Sequence, residues 1–201
     1  MNYFNLYQEL LKSNEIAESS DFFDSQKYLD QLFSTPLNFE INSFENKLNL
    51  FCPYFLSLIE VGTKPKCLEF YSGIGVFLQI AKNKNTEAEL FYLNELGSNS
   101  TKIAKYINPS LNIVNGTENI KYDFIFTDGT FNLFTDDQIE KRLRFVSDNI
   151  SKGGVFCFLV NLDPLTLRKD FDIVKMHKFL QDNNFISIWG KNTFCSLWSK
   201  K

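Results

Sequence analysis

The segment Lys66–Gly75, KCLEFYSGIG, decides the fold, because an apolar run passes directly into a turn that contains two glycines. Residues 66–70 have the length and composition of a buried strand, and Phe77 opens a segment of helical periodicity. Glycines at a strand-to-helix turn let the backbone approach a ligand closely, and amides at the helix start donate hydrogen bonds to it. The segment therefore predicts a nucleotide-type binding turn, although by itself it is equally typical of a tight turn without a ligand.

One acidic residue strengthens the ligand interpretation. Glu95 follows the second apolar run, twenty residues after Gly75, where a carboxylate accepts hydrogen bonds from both hydroxyls of a ribose. A dinucleotide fold uses the same geometry, but its fingerprint has a third glycine where this chain has Leu78. Pyrophosphate binding is therefore disfavoured, and an enzyme of the NAD type is kept as a rival.

Four segments together, Leu68–Gly75, Glu95, Tyr122–Asp128 and Ser151–Phe156, resemble the class I S-adenosylmethionine-dependent methyltransferases. The resemblance extends from about residue 60 to residue 201 and implies S-adenosyl-L-methionine as cofactor, with S-adenosyl-L-homocysteine as its product. In that family the acidic residue before the glycine turn contacts the methionine part of the cofactor, which corresponds to Glu69, and Glu95 corresponds to the ribose ligand. The cofactor-binding residues that the resemblance implies are Glu69, Tyr71, Ser72, Gly73, Gly75, Glu95, Leu96, Thr117, Glu118, Asp128 and Gly129.

Two positions depart from the family pattern. Tyr71 replaces the first glycine of the turn, and Thr117 follows Gly116 where the family often has an aspartate that contacts adenine. Thr117, Glu118 or a backbone amide is then expected to supply the adenine contact. The same departures favour the main rival interpretation, a catalytically silent methyltransferase-fold protein that works as a binding subunit.

Seven short apolar runs, mostly separated by segments of helical periodicity, predict an α/β fold with a mainly parallel sheet and helices on both faces. Only three residues, Gly190–Asn192, separate the last two runs, which are therefore predicted to form a C-terminal antiparallel hairpin. Together with the resemblance, these runs predict a Rossmann-like class I methyltransferase sheet, preceded by an N-terminal helical segment. The runs are residues 66–70, 89–93, 111–114, 122–127, 154–160, 185–189 and 193–198.

The chain is divided into a helical cap, residues 1–60, and a methyltransferase core, residues 61–201. Within the cap, helical spacing is present at residues 4–11 and 28–33, and a third helix is expected from Asn42 to Gly62, with Pro53 kinking or dividing it. By resemblance, the cap is expected to cover the cofactor and to contact the acceptor. In the core, Thr135–Gln138 predicts a capping box for a helix that Gly153 and Gly154 are expected to end.

Charge and motifs favour a small-molecule acceptor over nucleic acid. The net charge of -3 and the pI near 5.3 lack the basic excess that phosphate backbones demand. Leu68–Gly75 is also similar to the first motif of cytosine-C5 methyltransferases, but Thr127–Thr130 stands where those enzymes carry a Pro-Cys pair. RNA, tRNA or protein methylation is kept as an alternative.

The four cysteines lack metal-ligand spacing and are expected to be buried thiols. No signal peptide or membrane span is visible, so a cytoplasmic location is expected. A homodimer is kept as an alternative to a monomer.

Asp128, at the end of the fourth run, is the first candidate for a catalytic base or substrate-orienting residue, since ligands of open α/β sheets bind at the carboxyl ends of strands. A structural role in a turn with Gly129 is equally weighted. His177, the single histidine, is expected to be structural because it shares a helical face with apolar residues far from the crevice. Aromatic side chains complete the predictions: Tyr71, Phe131 and Phe134 for an acceptor pocket, Trp189 and Trp198 for the core.

Overall fold

The structure is a computed structural model. Several predicted features lie outside the residues that it describes: the turn residues Tyr71, Ser72 and Gly73, the pair Glu95 and Leu96, Gly129, the helix start at Asn42, and most of the periodic segments before it. The described residues are 9, 12–13, 44–50, 52–70, 74–93, 98–128, 131, 134–160, 171–190 and 195–201.

Strands and helices alternate through the described part of the chain, as predicted. Three strands have the predicted bounds, namely the first, second and sixth. In chain order the elements are α1 (44–50), α2 (Phe55–Val61), β1 (Lys66–Phe70), α3 (Val76–Lys84), β2 (Glu89–Leu93), α4 (Ser98–Ile107), β3 (Asn112–Ile113), β4 (Tyr122–Asp128), α5 (Asp136–Asn149), β5 (Ile150–Leu159), α6 (Ile173–Asp182), β6 (Phe185–Trp189) and β7 (Cys195–Lys200).

The seven strands form one sheet in the order β3-β2-β1-β4-β5-β7-β6. The first five strands pair in parallel, and β7 is antiparallel to both β5 and β6, which confirms the mainly parallel sheet and the C-terminal hairpin. The sequence did not indicate that β7 would insert between β5 and β6. Its residues Leu197 and Trp198 are both buried, whereas Ile186 and Ile188 of β6 are partly exposed, so β7 suits the inner position and β6 the edge.

Each face of the sheet is covered by its own set of helices. Alternate residues of β5 show the division: Val155 and Cys157 pack in a cluster with α1 to α4, while Phe156 and Phe158 pack with α5 and α6. The prediction of helices on both faces is confirmed. The first cluster also includes side chains from residues 48–59, so this part of the predicted cap packs on the same core as β1; the division at residue 60 stays a prediction.

Pro53 divides the predicted helix in two, as expected. The helical segment α1 and helix α2 are separated by a turn at residues 52–54, and Tyr54 adopts a left-handed conformation with φ 77° at the start of α2. Proline lacks the amide hydrogen that a continuous helix would need here. The turn redirects the chain, so that α2 places Phe55 in a stack on Phe77 of α3, with ring centroids 5.5 Å apart.

The capping box of α5 is confirmed, but the predicted end of this helix is wrong. Thr135 accepts from the Gln138 amide, and the Gln138 side chain accepts from the Thr135 amide. The helix ends at Asn149 rather than at the glycines, because Ile150 already pairs with Tyr122 in the sheet. Gly154 serves a bulge in β5: a Cβ there would lie 2.8 Å from Ile150 Cγ1 and 2.9 Å from the Ser151 carbonyl oxygen.

The prediction of a core position is confirmed for one of the two tryptophans and is wrong for the other. Trp198 is fully buried, but the Trp189 residue is 44% exposed on the edge strand β6. His177 is buried as predicted, with its ring 5.6 Å from that of Phe158 and 5.1 Å from that of Trp198. None of the helices in the described ranges has the length and apolar character needed to cross a bilayer.

Candidate cofactor and acceptor site

Glu69 lies near the carboxyl end of β1, where the predicted cofactor turn begins. Its side chain is buried, and its Oε2 accepts a hydrogen bond from the Leu78 amide at 3.1 Å. That amide belongs to the first turn of α3, whose donors lack partners inside the helix. The carboxylate therefore fixes the start of α3 relative to β1.

Gly75 caps the N-terminus of α3 in a left-handed conformation, with φ 82°. Residues with a Cβ rarely adopt this conformation, which explains the glycine. The position faces the protein core, because a Cβ there would make ordinary contacts with Ala104, Leu111 and Tyr92 at 3.5 to 3.8 Å. Gly75 thus shapes the turn through its backbone.

Asp128 is the last residue of β4 and pairs with a lysine that the sequence analysis missed. Lys47 Nζ lies 2.9 Å from Asp128 Oδ2, and 41% of the lysine side chain and 20% of the aspartate side chain are exposed. Burial raises the pKa of Asp128 above its usual value, and the lysine opposes this rise only in part. The site therefore contains a half-buried carboxylate with an enhanced affinity for a proton.

Lys47 belongs to α1, which lies against the sheet beside β4. The Phe44 ring meets the Phe126 ring edge-on at 5.7 Å, and Leu48 is fully buried in the core. A second ion pair, between Glu45 and Lys84 of α3, has a separation of 2.7 Å. No local motif identifies Lys47, because its partner is 81 residues away in the sequence; the helical spacing of Phe44 and Leu48 was the available signal.

Two cysteine thiols, those of Cys157 and Cys195, interact electrostatically with Asp128. The sulfur atoms of Cys52 and Cys157 are 3.4 Å apart, and both residues are buried as predicted, whereas Cys195 is partly exposed. Burial raises the pKa of Cys195 to about 11 and that of Cys157 well above its usual value, and the Asp128 charge contributes to both shifts. The Cys157 and Cys195 thiols are therefore neutral at pH 7 and place weakly polar groups near the carboxylate.

The loop after β3, where the adenine contact is expected, is closed by its own hydrogen bonds. Asn115 Oδ1 accepts from the Thr117 amide at 2.9 Å and from the Thr117 hydroxyl at 2.7 Å. The Glu118 carboxylate accepts from the amides of Asn115 and Gly116 at 3.0 and 2.9 Å. These bonds, the Asn115 amide first, lower the pKa of Glu118. A contact from Thr117 or Glu118 to adenine stays a prediction, and it would compete with this closed arrangement.

Two aromatic residues that were expected to form an acceptor pocket are in the core instead. Phe131 is buried against Phe156 and Phe158 at ring distances of 6.4 and 6.0 Å, and Phe134 is buried beneath the Arg142 guanidinium, 3.7 Å from its ring centroid. Asp136 pairs with Lys175 at 2.7 Å in the first turn of α5. Within the described ranges, no group of three or more histidine, cysteine or acidic residues is suited to hold a metal ion.

The sheet brings the described site residues to one edge. The register pairs Glu69 with Phe126, so Asp128 extends two residues beyond Glu69 at the carboxyl ends of the adjacent strands β1 and β4. Thr117 and Glu118 follow β3 at the same edge of the parallel strands. Such an edge is where open α/β sheets bind ligands. The remaining predicted residues, Tyr71, Ser72, Gly73, Glu95, Leu96 and Gly129, lie outside the described part of the chain.

The chain has the fold of the class I S-adenosylmethionine-dependent methyltransferases. A Methanococcus maripaludis protein assigned to these enzymes is 18% identical, with a TM-score of 0.61 over 92% of this chain and 97% of that one. A TehB-like S-adenosylmethionine-dependent methyltransferase from Corynebacterium glutamicum is 10% identical, with a TM-score of 0.58 over 82% and 100%. An O-methyltransferase family protein from Burkholderia thailandensis is 8% identical, with a TM-score of 0.58 over 98% and 71%. No protein-family model matches the chain, and no curated protein matches it in sequence.

Proposed function

We propose that this chain is an S-adenosylmethionine-dependent methyltransferase that methylates an oxygen atom of a small molecule, such as a metabolite or a sugar-type glycan precursor. The observation that carries the proposal is Asp128, a half-buried carboxylate of raised pKa at the carboxyl end of the central strand β4. A hydroxyl acceptor needs a base within reach of its proton, whereas an acceptor that is already ionised needs none.

The described residues fit the proposed cofactor. Glu69 in β1 and Gly75 at the start of α3 flank the predicted turn, and α3 begins at the ligand edge of the sheet, where helix-start amides can donate to a ligand. In the proposed complex, Glu69 and the turn residues Tyr71, Ser72 and Gly73 face the methionine part, Glu95 and Leu96 the ribose, and Thr117 or Glu118 the adenine. Asp128 and Gly129 complete the cofactor contacts beside the acceptor.

When bound, S-adenosylmethionine supplies an electrophilic methyl group on a sulfonium. Asp128 would accept the proton of the acceptor hydroxyl as the new carbon–oxygen bond forms and the methyl–sulfur bond breaks, with S-adenosylhomocysteine as the leaving group, and it would later release that proton to solvent. The partial burial of Asp128 and its α1 partner reduces competing contact with water around the reacting groups. Much of the rate gain in such a site comes from holding the acceptor in line with the methyl group.

The small-molecule acceptor rests on two supports. One is the acidic balance of the chain, which disfavours nucleic acid. The other is the fold likeness to an O-methyltransferase family protein. The silent binding subunit remains the second candidate, because the loop of Thr117 and Glu118 is closed by hydrogen bonds within itself.

Methyl transfer from labelled S-adenosylmethionine, measured over hydroxylated metabolites and sugars, tests the proposal. Total cellular RNA and protein serve as competing acceptors in the same assay. We expect transfer to a small molecule that is lost in Asp128→Asn and kept in Asp123→Asn. Asp123 is a suitable control because it lies in the same strand and accepts from the Lys66 amide, away from the crevice. Transfer to RNA or protein alone would refute the acceptor class.

A further inference from the structure

The charge on Asp128 depends on what surrounds it. From the described elements, the titratable groups that face it are Lys47 of α1, Cys157 of β5 and Cys195 of β7. Both thiols are neutral at pH 7, since their pKa values are raised. Among these groups, Lys47 supplies the positive charge, at a distance of 2.9 Å.

Burial alone would favour the neutral form of Asp128. A carboxylate that leaves water without a compensating partner takes up a proton more readily. A protonated aspartic acid is unable to accept the proton of an acceptor hydroxyl. The Lys47 ammonium, 2.9 Å away, opposes protonation through its charge and its hydrogen bond, so it increases the fraction of Asp128 that is ionised and able to accept a proton.

Helix α1 is docked by contacts that do not involve Lys47. Leu48 is fully buried in the core, Phe44 meets Phe126, and Glu45 pairs with Lys84. The Lys47 side chain is 41% exposed, so a side chain of similar length without charge fits in its place. The charge can therefore be removed while α1 remains on the sheet.

We propose that Lys47 is a positioning residue for methyl transfer: its ammonium group holds the Asp128 carboxylate ionised and fixed in direction at the end of β4. This inference rests on the proposed role of Asp128 as the base. It makes α1 an electrostatic part of the site, because the base is active when the helix brings its cation within hydrogen-bond distance.

A carboxyl NMR titration of the full chain tests the inference without any acceptor. The Asp128 carboxyl signal, assigned with Asp128→Asn, is followed against pH in the wild type, Lys47→Met, Lys47→Arg and Glu45→Gln. We expect the midpoint to move upward in Lys47→Met and to stay close to the wild-type value in Lys47→Arg. Glu45→Gln removes the other ion pair of α1 and should leave the midpoint unchanged. Amide spectra report whether each variant folds, and Lys47→Gln replaces Lys47→Met if that variant does not.

An unchanged midpoint in folded Lys47→Met would overturn the inference, and so would an equal upward shift in Glu45→Gln, which would assign the effect to helix docking. With the methylated acceptor, kcat of Lys47→Met should fall at neutral pH and recover as pH rises, while KM for S-adenosylmethionine is unchanged. Failure of the wild type to methylate any acceptor would refute the proposed function. The titration would still decide whether Lys47 controls the Asp128 charge.

Discussion

Asp128 and Glu118 are two carboxylates at the same edge of the sheet, and they are held in opposite ways. Glu118 accepts hydrogen bonds from the amides of its own loop, and its pKa is lowered. Asp128 is half-buried, its charged partner is 81 residues away, and its pKa is raised. An acid whose hydrogen bonds come from its sequence neighbours stabilises a loop, whereas a half-buried acid whose partner is distant in the sequence is suited to exchange a proton.

The largest difference between the two acids should be in activity. Asp128→Asn keeps the shape of the side chain but removes the base, and we expect methyl transfer to fall by about 10²–10⁴-fold. Glu118→Gln keeps an acceptor oxygen for the loop amides and for adenine, so kcat should be retained and any loss should fall on KM for S-adenosylmethionine. Steady-state rates of both variants with the same acceptor measure the difference, and an equal loss in the two variants would remove the distinction.

Glu69 lies between these two cases, because it is buried and bonded to an amide nine residues away. Glu69→Ala leaves the buried Leu78 amide without its acceptor, so the free energy of unfolding should fall by about 1–3 kcal/mol. Glu69→Gln keeps an acceptor oxygen and should lose less. Urea unfolding of the two variants measures this, and equal stability of Glu69→Ala and the wild type would show that the contact does not hold the turn.

The smallest effect should be the change of stability with pH, and its sign should differ between the two acids. Since the folded-state pKa of Asp128 is raised, its stabilising contribution is present below 3.8 and is lost as pH rises through the folded-state pKa. Asp128→Asn should therefore gain stability relative to the wild type as pH rises. Glu118 has a lowered pKa, so its contribution is present above 4.5 and is lost as pH falls; Glu118→Gln should lose stability relative to the wild type as pH rises.

Urea unfolding of the wild type, Asp128→Asn and Glu118→Gln at a series of pH values from about 3 to about 7 separates these slopes. Each variant is compared with the wild type at the same pH, so the other titrating groups cancel and the difference reports the substituted carboxylate. Slopes of the same sign in the two variants would contradict the opposite pKa shifts. The effect of Glu118 should be the smaller one, because its carboxylate is close to solvent.

Much of the fold could be predicted because its signals are local. Apolar runs gave the bounds of β1, β2 and β6, and the capping box gave the start of α5. The end of α5 was wrong because the glycines at 153 and 154 serve a bulge whose partner, β4, is distant in the sequence. The core position predicted for Trp189 was wrong because the insertion of β7 leaves β6 at the exposed edge.

Less of the site could be predicted, and the cofactor-binding and catalytic roles of its residues stay predictions. Glu69, Gly75 and Asp128 follow from their places at the ends of apolar runs, and the structure puts Glu69 and Asp128 on adjacent strands. Lys47 was missed because one lysine in a helix carries no signal until the helix is docked. The hydrogen bonds within the loop from Asn115 to Glu118 were missed for a related reason. They join side-chain oxygens to backbone amides, and the backbone conformation that brings these together is not specified by composition.

The proposed function requires that the folded chain bind its cofactor, and thermal unfolding with and without S-adenosylmethionine and S-adenosylhomocysteine measures this binding. At a hundredfold its dissociation constant, a ligand that binds the folded state stabilises it by about 2.7 kcal/mol. We predict that both compounds raise Tm and that Glu95→Ala abolishes this increase. Reduced nicotinamide adenine dinucleotide should leave Tm unchanged. No shift with either compound, or a shift with the nicotinamide cofactor instead, would contradict the proposed cofactor while leaving the fold unchanged.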